Sequence, residues 1–290
     1  MLTGDAVFED LRGYVFRLAY QMVGSPADAE DLVQEAWLRW NGVDQDDVES
    51  PRAWLTTVVT RLAVNHLASA RIRRERYVGT WLPEPINTAA SGADPVELDE
   101  SLAFAFMVLL ESLSPRERAV FLLHEVFGIP HREVARILGI EEANSRKLLH
   151  RARTEIRARR PRFPPSERVH RELLERFAEA SRSGDVEGLA ELLAEDVVVM
   201  TDGGGRARAT LRPIYGRDRA SRFVRGALAK FVPDEVESRI EWINGAPGLV
   251  STVDDTVVSV ITFEVGEGCI QSLFIVTNPD KLRTFGLSPD

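Results

Sequence analysis

Residues Ile129 to Arg153 read IPHREVARILGIEEANSRKLLHRAR, and the pattern in this stretch decides the fold of the middle of the chain. Across His131 to Leu138, the apolar side chains Val134, Ala135, Ile137 and Leu138 gather on one side of a helix. Gly139 supplies the left-handed residue that ends it. Beyond it, Ser145, Leu148, Leu149, Ala152 and Ile156 recur at helical spacing and predict a second buried stripe. The opposite side carries Ala143, Arg146, Lys147, His150, Thr154 and Arg157, with Arg151 beside them. Two short helices around a tight turn, the second basic on its outer face, form a helix-turn-helix that offers Arg and Lys to a major groove. A solvated basic face on an ordinary helix pair has the same pattern, so the rest of the chain must separate the two.

At 290 residues and 44% hydrophobic content, the chain is long enough for two or three domains with real cores. Cys269 is the single cysteine, which rules out an intrachain disulfide. The five histidines show no zinc-ligand spacing, so neither metal nor cofactor is expected. The opening MLTGDAVFEDL lacks a basic start and a long apolar core, and the longest apolar run, Leu102 to Leu110, is short of a membrane span. The expectation is a soluble cytoplasmic protein with no membrane partner. A net charge of −9 is unusual for a DNA binder, but the charge is segregated. Positive residues cluster in Arg71–Arg76 and Arg146–Arg160, and acids are dense between Asp28 and Glu49 and between Glu187 and Asp202. That distribution suits one face for DNA and another for a basic protein partner.

The segment from about residue 5 to 77 reads as helical. Ala29, Leu32, Val33, Ala36, Trp37 and Trp40 make an apolar stripe, with Asp28, Asp31, Gln34 and Glu35 largely outside it. Ser50-Pro51 opens another helix, serine at the N-cap and proline at the first helical position. Residues 78–100 contain Trp81-Leu82-Pro83-Glu84-Pro85 and read as a semi-rigid linker whose aromatic docks on something. Ser114-Pro115-Arg116-Glu117 is a capping box, and the helix it begins leads to the helix-turn-helix, so 101–162 form a second all-α domain.

After Arg160-Pro161-Arg162-Phe163-Pro164-Pro165 the pattern changes. Helices over 167–182 and 185–194, a strand over 197–201, a helix over 217–231 and strands over 237–244, 249–253, 256–265 and 269–277 predict an α+β domain over 163–290. Its expected form is a curved antiparallel sheet wrapped into a cone with a central pocket.

The first two regions resemble extracytoplasmic-function (ECF) sigma factors. Ala27 to Arg39 looks like the helix of region 2 that grips the clamp of RNA polymerase. Pro51-Arg52-Ala53-Trp54-Leu55 onward resembles the part of region 2 that opens and reads the minus-10 element, and the helix-turn-helix resembles the minus-35 reader of region 4. The third region resembles the SnoaL-like, NTF2-like domain fused to one ECF subgroup. That match rests on the linker motif, on Asp202-Gly203-Gly204-Gly205-Arg206 and on Asn278-Pro279-Asp280-Lys281-Leu282. The glycine motif usually ends in lysine, so Arg206 departs from it, keeping the charge and changing the donor geometry. The resemblance implies residues 1–77 as region 2, the 78–100 linker, 101–162 as region 4 and 163–290 as a fused regulator in place of a separate anti-sigma protein. The implied partners are core RNA polymerase, through the clamp of its largest subunit and its flap, and promoter DNA at both elements. The pocket of the third domain is a place for an unidentified small ligand.

On this reading Asp31, Gln34 and Glu35 face the polymerase. Arg61, Asn65, Arg71, Arg73 and Arg74 contact DNA around the minus-10 element, where Asn41, Gln45 and Asp47 are equal candidates for a flipped base. Arg146 and Lys147 are the base-edge candidates on the recognition helix, and His150, Arg151 and Arg153 hold phosphates. Asn144 serves either as N-cap or as a DNA contact. Trp81, Leu82, Pro83, Asp202, Gly203, Gly204, Arg206, Asn278, Asp280 and Lys281 are assigned to interdomain regulation, with Lys281 expected at the surface. Asp196, Asp202, Asp254, Asp255 and Glu264 could serve a cyclase or isomerase, but no constellation points to a reaction, and the glycine loop lacks the Lys-Ser/Thr ending of a phosphate loop. The alternatives to a non-enzymatic sigma factor are a DNA-binding regulator with a ligand-sensing third domain and one with a cyclase- or isomerase-like third domain.

Overall fold

A computed structural model of the chain describes residues 4–74, 77–88, 103–157, 167–231, 236–283 and 285. The chain divides into two compact units, residues 1–76 with 109–160 and residues 77–108 with 161–290.

The first unit is all helix. α1 (Gly4–Val23), α2 (Pro26–Asn41) and α3 (Pro51–Arg74) pack on one another, and α5 (Pro115–Phe121), α6 (His131–Leu138) and α7 (Glu142–Arg157) form the second half. Local chemistry sets the boundaries. Ser25 accepts from the Asp28 amide with Pro26 following, and Ser50 Oγ accepts from the Ala53 amide at 3.3 Å. Ser114 and Glu117 form the full reciprocal capping box. Gly139 ends α6 in the left-handed region, at φ 64°. A single π turn (Leu122–Val126) follows α5. It brings His124 over His131, with ring centroids 4.1 Å apart. His124 Nδ1 lies 2.9 Å from the Ile129 carbonyl, and His131 Nδ1 lies 2.9 Å from Ser145 Oγ.

The two halves are stapled by Arg118, whose side chain is buried. Its Nε donates to the Leu110 carbonyl at 2.9 Å, its Nη1 to the Met22 carbonyl at 2.6 Å, and its Nη2 pairs with Glu111 at 2.9 Å. One guanidinium thereby bonds carbonyls at the ends of both α1 and α4 (Phe104–Leu110).

The second unit is α+β. α8 (Glu167–Ser183), α9 (Val186–Leu192) and α10 (Arg217–Phe231) lie on one side of a six-stranded sheet. Its strands are β1 (Leu193–Asp202), β2 (Ile214–Tyr215), β3 (Glu237–Ile243), β4 (Ala246–Val253), β5 (Thr256–Gly266) and β6 (Cys269–Val276), ordered β2-β1-β6-β5-β4-β3. Alternation along β5 divides the cores. Phe263 and Val265 face the helices, and Val260 faces the other side with Val250, Phe274 and Val276. Leu82, Phe104, Leu282 and Phe285 cover that second side, so the linker and the C-terminal turn α11 (Pro279–Leu282) act as a layer of the domain.

Two expectations need correction. The sheet is mixed, because β1 runs parallel to β6, a pairing between segments about seventy residues apart that strand periodicity cannot reveal. The helix expected over 185–194 stops at Leu192, because Leu193 and Ala194 already belong to β1, which shifts register between Leu193 and Val198. Leu173, Leu174, Phe177, Leu189, Val224, Phe263 and Leu273 form the core between helices and sheet.

Candidate nucleic-acid interface and linker clamp

The recognition helix α7 has the predicted register. Ser145, Leu148, Leu149, Ala152 and Ile156 are buried, while Asn144, Arg146, Lys147, His150 and Arg151 are exposed. α7 begins at Glu142, which places Asn144 in its first turn and not at the N-cap, so its side chain is free of that role. Arg146 pairs with Glu142 one turn back, Arg151 Nε donates to Glu117 at 2.7 Å, and Arg153 Nη2 donates to Glu125 at 2.7 Å. Burial pushes the Glu117 carboxyl up, but hydrogen bonds from Ser114 and Arg151 outweigh it and hold the group below the usual range. Arg151 thus ties α7 to α5. Lys147 and His150 project without such ties. Burial, the neighbouring His124 and Arg146 together lower the pKa of His131.

Asn65 is exposed on α3, but Arg61 is engaged. Its Nε donates to the Ile137 carbonyl at 2.7 Å and its Nη2 to the Arg136 carbonyl at 3.3 Å, both in the last turn of α6. The side chains of Arg71, Arg73 and Arg74, at the end of α3, lie outside the described residues. Between α2 and α3 a single 3-10 turn, Gln45–Asp47, is capped by Asp44, whose carboxylate accepts from the Asp46 amide at 3.2 Å. Asn41 and Asp47 are exposed beside it and Gln45 is half-buried.

Asp31 and Gln34 line an open groove between α1 and α2 with Phe8, Arg12, Val33 and Trp37. Glu35 lies outside that groove and accepts from Arg39 at 2.9 Å. Trp37, expected in the buried stripe, is 37% exposed, and the neighbouring Leu38 is 54% exposed. The acidic face therefore carries the apolar surface that a protein interface needs, which hydrophobicity alone assigned to the core.

The three short motifs meet in the second unit. Asp202, at the end of β1, is fully buried and accepts four hydrogen bonds: from the Tyr77 hydroxyl, from the Gly204 amide at 3.1 Å, from the Leu82 amide at 2.9 Å and from Lys281 Nζ at 2.8 Å. Lys281 also donates to the Leu82 carbonyl and lies over the Trp81 ring, 3.4 Å from its centroid. Its side chain is 3% exposed, which corrects the expectation of a surface lysine. Burial and the Asp202 carboxylate drive the Tyr77 phenol far above its usual range, so it remains a donor. Asn278 caps α11 through the Asp280 amide at 3.0 Å and donates to the Tyr77 oxygen at 2.8 Å. The glycines are required by space: a side chain on Gly203 would meet the Ala207 carbonyl at 2.3 Å, and one on Gly204, at φ +61°, would meet Asn278 at 2.4 Å. Arg206 stays at the surface and pairs with Asp280 at 2.8 Å. Leu82 is buried in the sheet's second core, and Pro83 continues the linker beside it.

A second grip lies further along the linker. Ile86 and Asn244 exchange hydrogen bonds, and the Thr88 amide donates to the Trp242 carbonyl at 2.9 Å. Neither Arg118, Asn244 nor this second grip carries a sequence signal. Only Asn244-Gly245 hints at a turn, between β3 and β4.

Residues 7–73 match the Sigma-70 region 2 family and residues 103–156 the Sigma-70, region 4 family. The chain is 38% identical over 286 residues to the ECF RNA polymerase sigma factor SigJ of Mycobacterium tuberculosis, covering 94% of this chain and 91% of that protein. It is 31% identical over 217 residues to the ECF RNA polymerase sigma factor SigG of the same organism, covering 66% of this chain and 59% of that protein. The crystal structure of the M. tuberculosis SigJ protein superposes with a TM-score of 0.78 at 36% identity, covering 97% of this chain and 98% of the other. The chain belongs to the ECF family of RNA polymerase sigma factors.

Proposed function

We propose that the chain acts in the cytoplasm as a sigma factor that binds core RNA polymerase, through the clamp of the largest subunit and the flap, and directs initiation at specific promoters. Asp31 and Gln34, with Glu35 beside them, meet the clamp, and exposed Trp37 and Leu38 supply the apolar part of that contact. Asn144, Arg146, Lys147, His150 and Arg151 on α7 read and grip the minus-35 element. Asn65, Arg61, Arg71, Arg73 and Arg74 on α3 serve the minus-10 element. Because Arg61 is held by the end of α6, promoter engagement through Arg61 requires that contact to break. Functionally the chain then divides into region 2 (1–77), linker (78–100), region 4 (101–162) and a regulatory SnoaL-like domain (163–290). The regulatory domain acts through its hold on Trp81, Leu82 and Pro83 by way of Asp202, Gly203, Gly204, Asn278 and Lys281, and Arg206 with Asp280 braces the rim.

The observation that carries this reading is the exposure pattern of α7, a helix-turn-helix second helix with Leu148, Leu149, Ala152 and Ile156 buried and its basic face open. The test is assembly with polymerase. Asp31→Lys with Glu35→Lys should weaken core binding, measured by fluorescence titration, with helix content unchanged. Undiminished binding would remove the assignment of that face.

A further inference from the structure

Seven arginines fall between residues 206 and 225, against a single acid, Asp218, in a chain whose net charge is −9. Arg219, Arg222 and Arg225 are exposed along α10 at intervals of three residues, and Arg212 is exposed on the loop before it. Several arginines on other helices are neutralised by an acid one turn away: Arg39 by Glu35, Arg146 by Glu142, Arg168 by Glu172 and Arg182 by Glu179. Among the described residues no carboxylate lies within ion-pairing distance of Arg212, Arg219 or Arg225. Like charges three apart on a helix oppose its formation, so this arrangement carries a cost within the isolated domain that a polyanion would remove. Among the described residues, the large exposed apolar side chains nearby are Leu211 and Tyr215, too little for the central apolar anchor of a protein interface.

We propose that this arginine face of the C-terminal domain is a third DNA contact, which binds the phosphate backbone of duplex DNA without reading its sequence. Three guanidinium groups spread over about 9 Å of helix face a polymer that carries one charge per about 1.7 Å of its axis. Arginine forks suit phosphate oxygens. The proposal rests on the DNA-binding reading of α7, since covalent linkage to a bound promoter is what brings DNA to this face at high effective concentration.

The test uses the full chain and a short duplex of arbitrary sequence, titrated over a range of salt. In the triple variant Arg212→Gln, Arg219→Gln, Arg225→Gln the slope of log affinity against log salt should shrink by about two to three, because each phosphate contact contributes about 0.9. The corresponding Lys variant should restore most of the slope, and core polymerase binding should be unchanged. On the unaltered protein, duplex should shield Arg219 and Arg225 from phenylglyoxal, read by mass spectrometry, which needs no variant to fold. An unchanged slope, or equal modification with and without duplex, overturns the proposal. So does a loss of core affinity with the DNA slope intact, which would give the face to an acidic polymerase surface. If Arg146→Gln with Lys147→Gln alone removes the salt dependence, the α7 reading stands and the α10 proposal falls. If the wild-type chain shows no salt-dependent duplex binding, both fall.

Discussion

Replacing Lys281 with methionine removes the ammonium from the clamp and keeps the length of its apolar stem. The loss comprises a 2.8 Å ion pair to Asp202 between side chains 3% and 0% exposed, the bond to the Leu82 carbonyl and the contact with the Trp81 face. Breaking one side of a buried pair costs about 3–5 kcal/mol. Asp202 keeps the Tyr77 hydroxyl and the Gly204 and Leu82 amides, which places the cost at the lower end, about 3 kcal/mol. Opening of the linker should then become about 100-fold more frequent. Hydrogen exchange of the full chain reads this directly: the Leu82 amide, bonded to Asp202, should lose protection, and the Thr88 amide, held by Trp242, should lose less. Adding Asp202→Asn should recover much of the loss. Unchanged protection at Leu82, or a double variant no better protected than the single one, would refute the argument that this pair holds the linker.

Arg118→Met should destabilise the first unit by about 3–5 kcal/mol, since it leaves Glu111 and the Met22 and Leu110 carbonyls without their buried partner; chemical denaturation checks this, and near-wild-type stability would contradict it. Alanine at Arg146 or Lys147 should cost about 1–3 kcal/mol at one minus-35 position and leave the others alone, as scored on a panel of promoter variants; uniform weakening would make both residues phosphate contacts. His131 has a folded pKa below its usual 6.5, so the unfolded chain binds the proton more readily. Its contribution to stability is full above 6.5 and is lost as pH falls through that value toward the folded pKa, so the melting temperature should drop on mild acidification, and His131→Asn should flatten that drop. His170, buried in the second unit and also lowered, adds a loss of the same sign there.

Local signals were legible. The five buried positions of α7 repeat at helical spacing, Ser114 and Glu117 announce the start of α5, and Gly139 marks the end of α6, because each depends on residues within a few positions. What escaped depends on distance. Trp37 reads as core because its position on α2 shows an apolar stripe and not which part of the stripe a neighbour covers. Arg118 goes unmarked because nothing near it in sequence indicates that Met22 will present a carbonyl to it. Lys281 reads as surface for the same reason: its burial requires Trp81, 200 positions away, and Asp202, 79 positions away. The three motifs were recognised separately, and only the fold shows that one carboxylate gathers them.

The central claim is tested most directly by run-off transcription with core polymerase, from a promoter selected with the intact protein, comparing the whole chain with a version ending at Pro165. The intact chain should initiate at a defined start, and the shortened chain, which lacks Asp202 and Lys281 and leaves Leu82 without its clamp, should bind core and yield no specific transcript. A shortened chain that transcribes like the intact one would contradict the regulatory role of the C-terminal domain, and the absence of any promoter-dependent transcript with the intact chain would contradict the sigma-factor account itself.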